Sequence, residues 1–289
     1  DSSALLGLPM VVGTTIVITF VFFGQLLLHS GGASFFNDLS LALMGRYRGG
    51  SAKIAITASS LFGSISGVAV SNIVATGIVT IPMMKKAGFS ARLAGSIEAV
   101  ASTGGQLMPP VMGAVAFLMA DFLEMPYQSI VIAALVPAIL YYVALFIQAD
   151  LEAAKNGIER VEEENLPKLW DVLKDGWVFI FPFAALIYAL FSLNWRAETA
   201  ALLASGVVLV LGLFIGYKGQ KMNLGHVWRS FSDTGKSVLD VLMIVAGAGF
   251  IIGTLQVTGL GFAFTLFIVE AGGDNLFVLL LIAAVLCIV

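Results

Sequence analysis

The sequence predicts an all-α integral membrane fold that contains a re-entrant hairpin and a discontinuous helix. Three observations predict it. The chain is 59% hydrophobic and 11% charged, with a mean hydropathy of +0.98, whereas a soluble domain carries roughly 25% charged residues. Uncharged runs cover 2–37, 99–120, 125–149, 176–195, 199–217, 241–269 and 275–289, each long enough for a span of ~20 residues or for part of one. A further 31 residues between Lys53 and Lys85 carry no charge, yet both ends of that run are basic.

The elements follow in order. A first span runs over about 5–28 and ends at His29-Ser30-Gly31-Gly32. From Ala33 to Met44, Phe35, Phe36, Leu39, Leu43 and Met44 recur at helical spacing around Asn37, Asp38 and Ser40, the pattern of an amphipathic helix in the membrane interface. The uncharged run at 54–84, the body of a hairpin expected at 51–84, has Arg46, Arg48 and Lys53 before it and Lys85, Lys86 and Arg92 after it. Basic residues collect at cytoplasmic ends, so both ends face the cytoplasm. Its small, polar middle, Gly63 to Asn72, suits a hairpin tip, and irregular backbone at that depth must be buried in protein or line a cavity.

Residues 90–124 read as one spanning helix interrupted at Gly104-Gly105-Gln106-Leu107-Met108-Pro109-Pro110. Two glycines and two prolines in seven residues cannot form regular helix, because proline lacks a donor and clashes with the preceding turn. Spans at 127–149, 177–193 and 198–217 follow, then the basic loop 218–236 and a span at 237–257. Counting spans backward from the basic loops keeps every basic cluster cytoplasmic only if 51–84 turns back on itself.

A weak repeat at an offset of 229 pairs Gly24, Leu26, Gly32 and Phe35 with Gly253, Leu255, Gly261 and Phe264. The two units run in opposite directions, which is the arrangement of inverted-repeat secondary transporters. The tip's equivalent falls near 295–301. The chain begins at Asp1 rather than Met and stops in an apolar run at Val289, so both ends are expected to be truncations. Four segments result: 1–50, the first span and interfacial helix; 51–126, the hairpin and discontinuous helix; 127–236, connecting spans and cytoplasmic loops; and 237–289, the start of the second repeat.

A net charge of −3 gives no footprint for nucleic acid. Cys287 sits in an apolar run, where a buried inert thiol is expected. No nucleophile–base pair or metal cluster is visible, so an enzyme is not expected. Where the tip and the break meet, carbonyls near Ser66, Gly67, Gly105 and Met108, with the Asn72 amide oxygen, would suit a hard cation such as Na⁺. The helix starting near Ser71 would offer N–H groups to an anion. Ser64, Ser71, Thr76 and Gln106 are the candidate substrate contacts. The hydroxyl residues at 57, 59, 60, 64, 66, 71, 76 and 80 serve equally as small packing residues between helices. Glu98, two turns past Arg92, is placed at the interface. An ion channel with a re-entrant selectivity loop is the alternative reading.

Four stretches carry a resemblance: Ser30 to Phe36, Ser66 to Asn72, Ile81 to Phe89 and Ala101 to Gly113. Together they resemble the large membrane subunit of tripartite ATP-independent periplasmic (TRAP) transporters over about 20–155. Gly104 to Pro110, with Asp150-Leu151-Glu152-Ala153, looks most like the fused permeases of the TAXI subgroup. The resemblance implies an elevator mechanism in a bacterial or archaeal inner membrane, driven by an ion gradient, usually Na⁺ with H⁺ as the other option. It also implies a periplasmic substrate-binding protein as partner and small organic acids as substrates, dicarboxylates such as glutamate or 2-oxoglutarate for the TAXI group. The family commonly has Ser where this chain has Val68 and Ala where it has Ser71.

Overall fold

The computed structural model describes residues 6–161, 166–219, 221–273 and 275–288. Asp274, residues 162–165 and the side chain of Cys287 lie outside the described residues. The described residues form helices and no strand. We number them α1 (Leu8–His29), α2 (Gly32–Met44), α3 (Gly50–Ser66), α4 (Ala69–Lys86), α5 (Ala91–Gly104), α6 (Ala114–Phe122), α7 (Tyr127–Lys155), α8 (Leu169–Ser192), α9 (Ala197–Phe214), α10 (Leu224–Thr258), α11 (Leu260–Gly272) and α12 (Leu276–Ile288). Five of them, α1, α7, α8, α9 and α10, are long and apolar enough to cross a membrane.

The contacts divide the chain into two units. Val12–Val241 forms the larger, and residues before Val12 and after Val241 form the smaller. In the larger unit, the expected hairpin is α3 and α4, packed against each other along their length. They are joined at Gly67, whose φ of +61° lies in the left-handed region that glycine enters without a Cβ penalty. The expected break is equally clear. Residues 105–113 separate α5 from α6 in a run of turns that includes a cis Pro109–Pro110 bond.

α3, α4 and α5 pack on one another, and α7 covers α3 and α5. Their shared core is built largely of small residues, with Ala52, Ala55, Ala94, Ala101, Ala149 and Ala153 around Ile56, Met84 and Leu145. Small side chains let helix axes approach closely, which is how helices associate where lipid removes the hydrophobic drive. Two polar contacts tie α7 to this core. The Tyr142 hydroxyl donates to the Ala101 carbonyl at 2.9 Å, and Asp150 accepts from Lys53 at 2.6 Å and also from Arg48.

α2 turns its aromatic face into the protein. Phe35 and Phe36 are buried, with Phe35 stacked on Phe179 at 5.1 Å and set edge-on to Tyr217 at 5.8 Å. The Tyr217 hydroxyl donates to Asp38 at 2.8 Å, and Lys218 reaches the same carboxylate at 2.6 Å. Burial, reinforced by the Asp38 carboxylate, pushes the Tyr217 phenol up from its ordinary value.

Two boundaries differ from the sequence reading. α8 starts at Leu169 rather than near 177, since the amphipathic stretch Leu169–Gly176 packs against α2. α10 starts at Leu224 rather than near 237, because charged side chains at 229, 233 and 236 are no bar to a helix that projects beyond the bilayer. The smaller unit repeats one succession found in the larger. α1 ends before Gly31 at φ +95° and is followed by the 13-residue α2, while α10 ends before Gly259 at φ +69° and is followed by the 13-residue α11.

Tyr127 pins the break to α7. Its buried hydroxyl lies within donor reach of the Pro110 carbonyl at 3.1 Å and of the Val111 carbonyl, and its ring stacks on Phe117 of α6 at 4.5 Å. Tyr127→Phe is expected to cost about 1 kcal/mol and to lower the thermal unfolding midpoint of the detergent-purified protein with its helical circular dichroism intact. An unchanged midpoint would show that the break is held without this hydroxyl.

Candidate functional site

The hairpin tip and the helix break meet. A Cβ on Gly63 would stand 2.4 Å from the Gly105 Cα, and one on Gly105 would stand 2.6 Å from the Gly63 Cα. Real Cβ atoms do not approach so closely, so the crossing requires glycine on both sides. Four residues after Gly63, a Cβ on Gly67 would lie 2.2 Å from the Met112 carbonyl oxygen. The Val111 N–H donates to the Ser64 carbonyl at 3.2 Å, and the Gly113 N–H closes the loop onto the Gln106 carbonyl at 2.8 Å. The tip therefore sits at the level of the break, midway between α5 and α6.

Asn72 is the side chain that fills the crossing. It is fully buried, and its Nδ2 donates to the Ser59 carbonyl at 2.8 Å. A Cβ on either Gly63 or Gly105 would come within 2.9 or 3.2 Å of that nitrogen. Its Oδ1 is buried without a hydrogen-bond partner, as is the Ser66 Oγ. An unpartnered buried oxygen costs about 1–3 kcal/mol, and such exceptions call for an explanation such as an ion. No side chain caps the N-terminus of α4, so its first N–H groups remain available to an anion.

The candidates divide by location. Gly67, Asn72 and Gly105 lie together at the crossing, with Met108 one turn along, its N–H bonded to the Gly105 carbonyl at 3.2 Å. Ser66 and Ser71 turn instead toward α1 and line a small cavity of about 10 Å³ with Gln25 and Ser237. Ser64 is buried and donates to the Leu61 carbonyl at 2.7 Å, while Gln106 is exposed and packs against Gly113. Thr76 is not brought to them. It is buried a turn beyond Asn72, its hydroxyl 2.8 Å from the Asn72 carbonyl and 2.5 Å from Glu98 Oε1.

Glu98 is a buried carboxyl whose surroundings the sequence does not reveal. It is not interfacial but fully buried, among four hydroxyls from three helices. Ser59 of α3 donates at 2.9 Å, Thr76 and Thr80 of α4 at 2.5 Å each, and Ser102 of α5 lies 3.4 Å away. Distance along the chain from Arg92 was the wrong measure of exposure, because α5 packs against both hairpin arms. The signal was present in the spacing: Asn72, Thr76 and Thr80 lie on one helical face at i, i+4, i+8, and Glu98 and Ser102 at i, i+4 on another.

A family model described as the tripartite ATP-independent periplasmic transporter, DctM component, matches residues 5–289. The chain belongs to this DctM family. It is a multi-pass inner-membrane protein, and the relatives it matches are transporters rather than enzymes. DctM-family relatives include the sialic acid TRAP transporter permease protein SiaT of Haemophilus influenzae, 27% identical over 74% of this chain and 33% of the relative. The 2,3-diketo-L-gulonate TRAP transporter large permease protein YiaN of Escherichia coli is 22% identical over 86% of this chain and 55% of its own length. The C4-dicarboxylate TRAP transporter large permease protein DctM of Rhodobacter capsulatus is 24% identical over 79% and 54%. This chain thus spans about a third to about half the length of these relatives.

The crossing predicts a contrast between two helical glycines. Gly63→Ala is expected to force the tip from the break and to cost about 1–3 kcal/mol of stability. Gly95→Ala, where an added Cβ meets nothing within 4 Å, should be neutral or stabilising by up to about 1 kcal/mol. Thermal denaturation of the two variants in parallel checks this, and equal midpoints would dissolve the crossing as a constraint.

Proposed function

We propose that this chain contributes the hairpin and broken helix of a TRAP permease that takes up small organic acids handed over by a periplasmic binding protein. Uptake is secondary active transport driven by a Na⁺ gradient, through an elevator movement of the hairpin-bearing body. Membership of a family named as tripartite and ATP-independent supports the coarse reading. The relatives' named substrates, sialic acid, a diketogulonate and C4-dicarboxylates, are all acids. The TAXI-like motif at Gly104–Pro110 favours dicarboxylates such as glutamate or 2-oxoglutarate.

One observation carries the ion assignment: a fully buried amide oxygen, Asn72 Oδ1, left without a partner where a hairpin tip crosses a helix break. Unwound carbonyls and half-helix ends at such crossings coordinate Na⁺ in transporters built on broken helices. The proposed ligands are Asn72 Oδ1 and the carbonyls near Ser66, Gly67, Gly105 and Met108. Neutral oxygens suit a coupling ion, which must be released in every cycle. The Ser66 hydroxyl lines the cavity beside α1, so Ser66 enters this set through its carbonyl. The uncapped start of α4, with Ser64, Ser71 and Gln106 around the tip and break, is the proposed seat of the substrate carboxylate.

In proteoliposomes containing the complete permease, the cognate binding protein and an inward Na⁺ gradient, radiolabelled dicarboxylate should accumulate against its own gradient. Omission of Na⁺ or of the binding protein should abolish accumulation. Asn72→Ala should remove Na⁺-stimulated uptake while leaving the protein monodisperse. Downhill flux that never exceeds equilibrium would favour a channel, and accumulation without a binding protein would end the tripartite reading.

A further inference from the structure

We propose that Glu98 is a positioning residue: its carboxyl gathers the two hairpin arms and the first half of the broken helix into one body and thereby holds Asn72 across the crossing. The proposal rests on the reading of Asn72 as a cation ligand. Glu98 has no direct part in the crossing itself, and it acts through two of the residues it binds. Ser59 donates its hydroxyl to Glu98, and the same residue's carbonyl receives the Asn72 Nδ2. Thr76 sits within hydrogen-bond distance of Glu98 through the same hydroxyl that touches the Asn72 carbonyl. Both ends of Asn72, side chain and backbone, are therefore one residue away from the carboxyl.

The charge environment excludes an ion-pair role. The basic residues of the three helices are Lys53, Lys85, Lys86 and Arg92. Lys53 is paired with Asp150, and the other three are exposed at the helix ends. Among the described residues Glu98 makes no ion pair, and its side-chain hydrogen-bond partners are all hydroxyls. A buried carboxyl is tolerated only where its oxygens are hydrogen-bonded, so removing any arm of the cluster has a direct cost at Glu98, and removing Glu98 leaves Ser59 without an acceptor other than Thr76. In compensation Thr80 retains a fallback, the Thr76 carbonyl at 3.0 Å.

This fallback decides what a neutral isostere does. In Glu98→Gln the amide oxygen takes the place of Oε1 and still accepts from Ser59, Thr76 and Ser102. The amide nitrogen takes the place of Oε2 and donates to Thr80, which passes its own hydrogen to the Thr76 carbonyl. Each hydroxyl of the cluster keeps a partner, and the cost is confined to the second amide hydrogen, which gains none from the cluster. Glu98→Asp withdraws the carboxyl by one methylene and loses contact with part of the cluster, and Glu98→Ala loses all of it. A positioning role thus predicts an order, Glu ≈ Gln > Asp > Ala, that does not follow charge.

The test measures Na⁺ half-saturation of uptake by the complete permease in proteoliposomes, beside amide hydrogen exchange of residues 69–76. Glu98→Gln should stay within about threefold of wild type. Glu98→Asp should raise the half-saturation concentration, and Glu98→Ala should raise it by about tenfold or more, the equivalent of roughly 1.4 kcal/mol at the ion. Exchange over 69–76 should quicken in the same order. Loss of uptake in a folded Glu98→Gln protein would overturn the proposal by showing that the charge itself is used. Unchanged half-saturation in Glu98→Asp would also overturn it, and that variant decides the matter if Glu98→Ala fails to fold. Should wild-type uptake prove independent of Na⁺, the cation reading falls by itself. Exchange then judges Glu98: equal rates in the Gln and Asp variants reject positioning, and faster exchange in Asp alone supports it.

Discussion

Gly63 and Gly105 approach so closely that neither can carry a side chain, and the arrangement of the larger unit around the hairpin depends on that approach. It sets the depth of the tip, because Gly105 begins the break between α5 and α6. It also brings the irregular backbone of 105–113 against protein rather than lipid, where its polar groups find partners: the Ser64 carbonyl, the Gln106 carbonyl and the Tyr127 hydroxyl. Without such partners each exposed group would cost several kcal/mol in hydrocarbon. Asn72 shares that space, with its amide nitrogen against both glycines and its oxygen left over.

Much of this was legible in the sequence, for reasons that differ by element. The hairpin was legible because the positive-inside bias acts on the linear chain, and no straight span between Lys53 and Lys85 keeps both basic clusters on one side. The break was legible because two glycines and two prolines in seven residues leave the helix no local alternative. The meeting of tip and break was an inference from their similar depth, and the structure bears it out. The role of Gly63 was not legible, since a glycine inside an apolar helix reads as packing until its partner 42 residues later is known. Glu98 was misread because proximity to Arg92 in sequence stood in for proximity to water. Its four hydroxyls come from three helices, so only the assembled packing of α3, α4 and α5 reveals the cluster.

The start of α10 and of α8 shows the converse limit. Hydropathy marks where a helix is apolar, not where it ends. α10 continues through Arg229, Asp233 and Lys236, and there its polar turns make their own contacts: His29 of α1 meets Asp233 at 3.1 Å, and Gln25 meets Ser237 at 3.3 Å. α8 begins early because Gly176 leaves room for the Phe35 ring. In both cases tertiary contact, not composition, sets the boundary.

The two sides of the hairpin tip differ in kind, and the difference bears on the proposed elevator movement. Toward α5 the hairpin is held by directional contacts: the hydroxyl cluster on Glu98, the amide of Asn72 and a crossing that admits no Cβ. Any slip of one arm would leave buried polar groups unpaired, a cost of about 1–3 kcal/mol for each. Toward α1 the described contacts are of another sort. A Cβ on Gly24 would meet the Ser66 Cα at an ordinary 3.4 Å, and beside it lies a cavity of about 10 Å³. Contacts between small residues give close approach without fixing register. A body that must move as one piece needs the first kind of contact within it, and a surface along which it moves tolerates only the second. The boundary suggested by the chemistry therefore falls between α1 and the hairpin, not between the hairpin and α5.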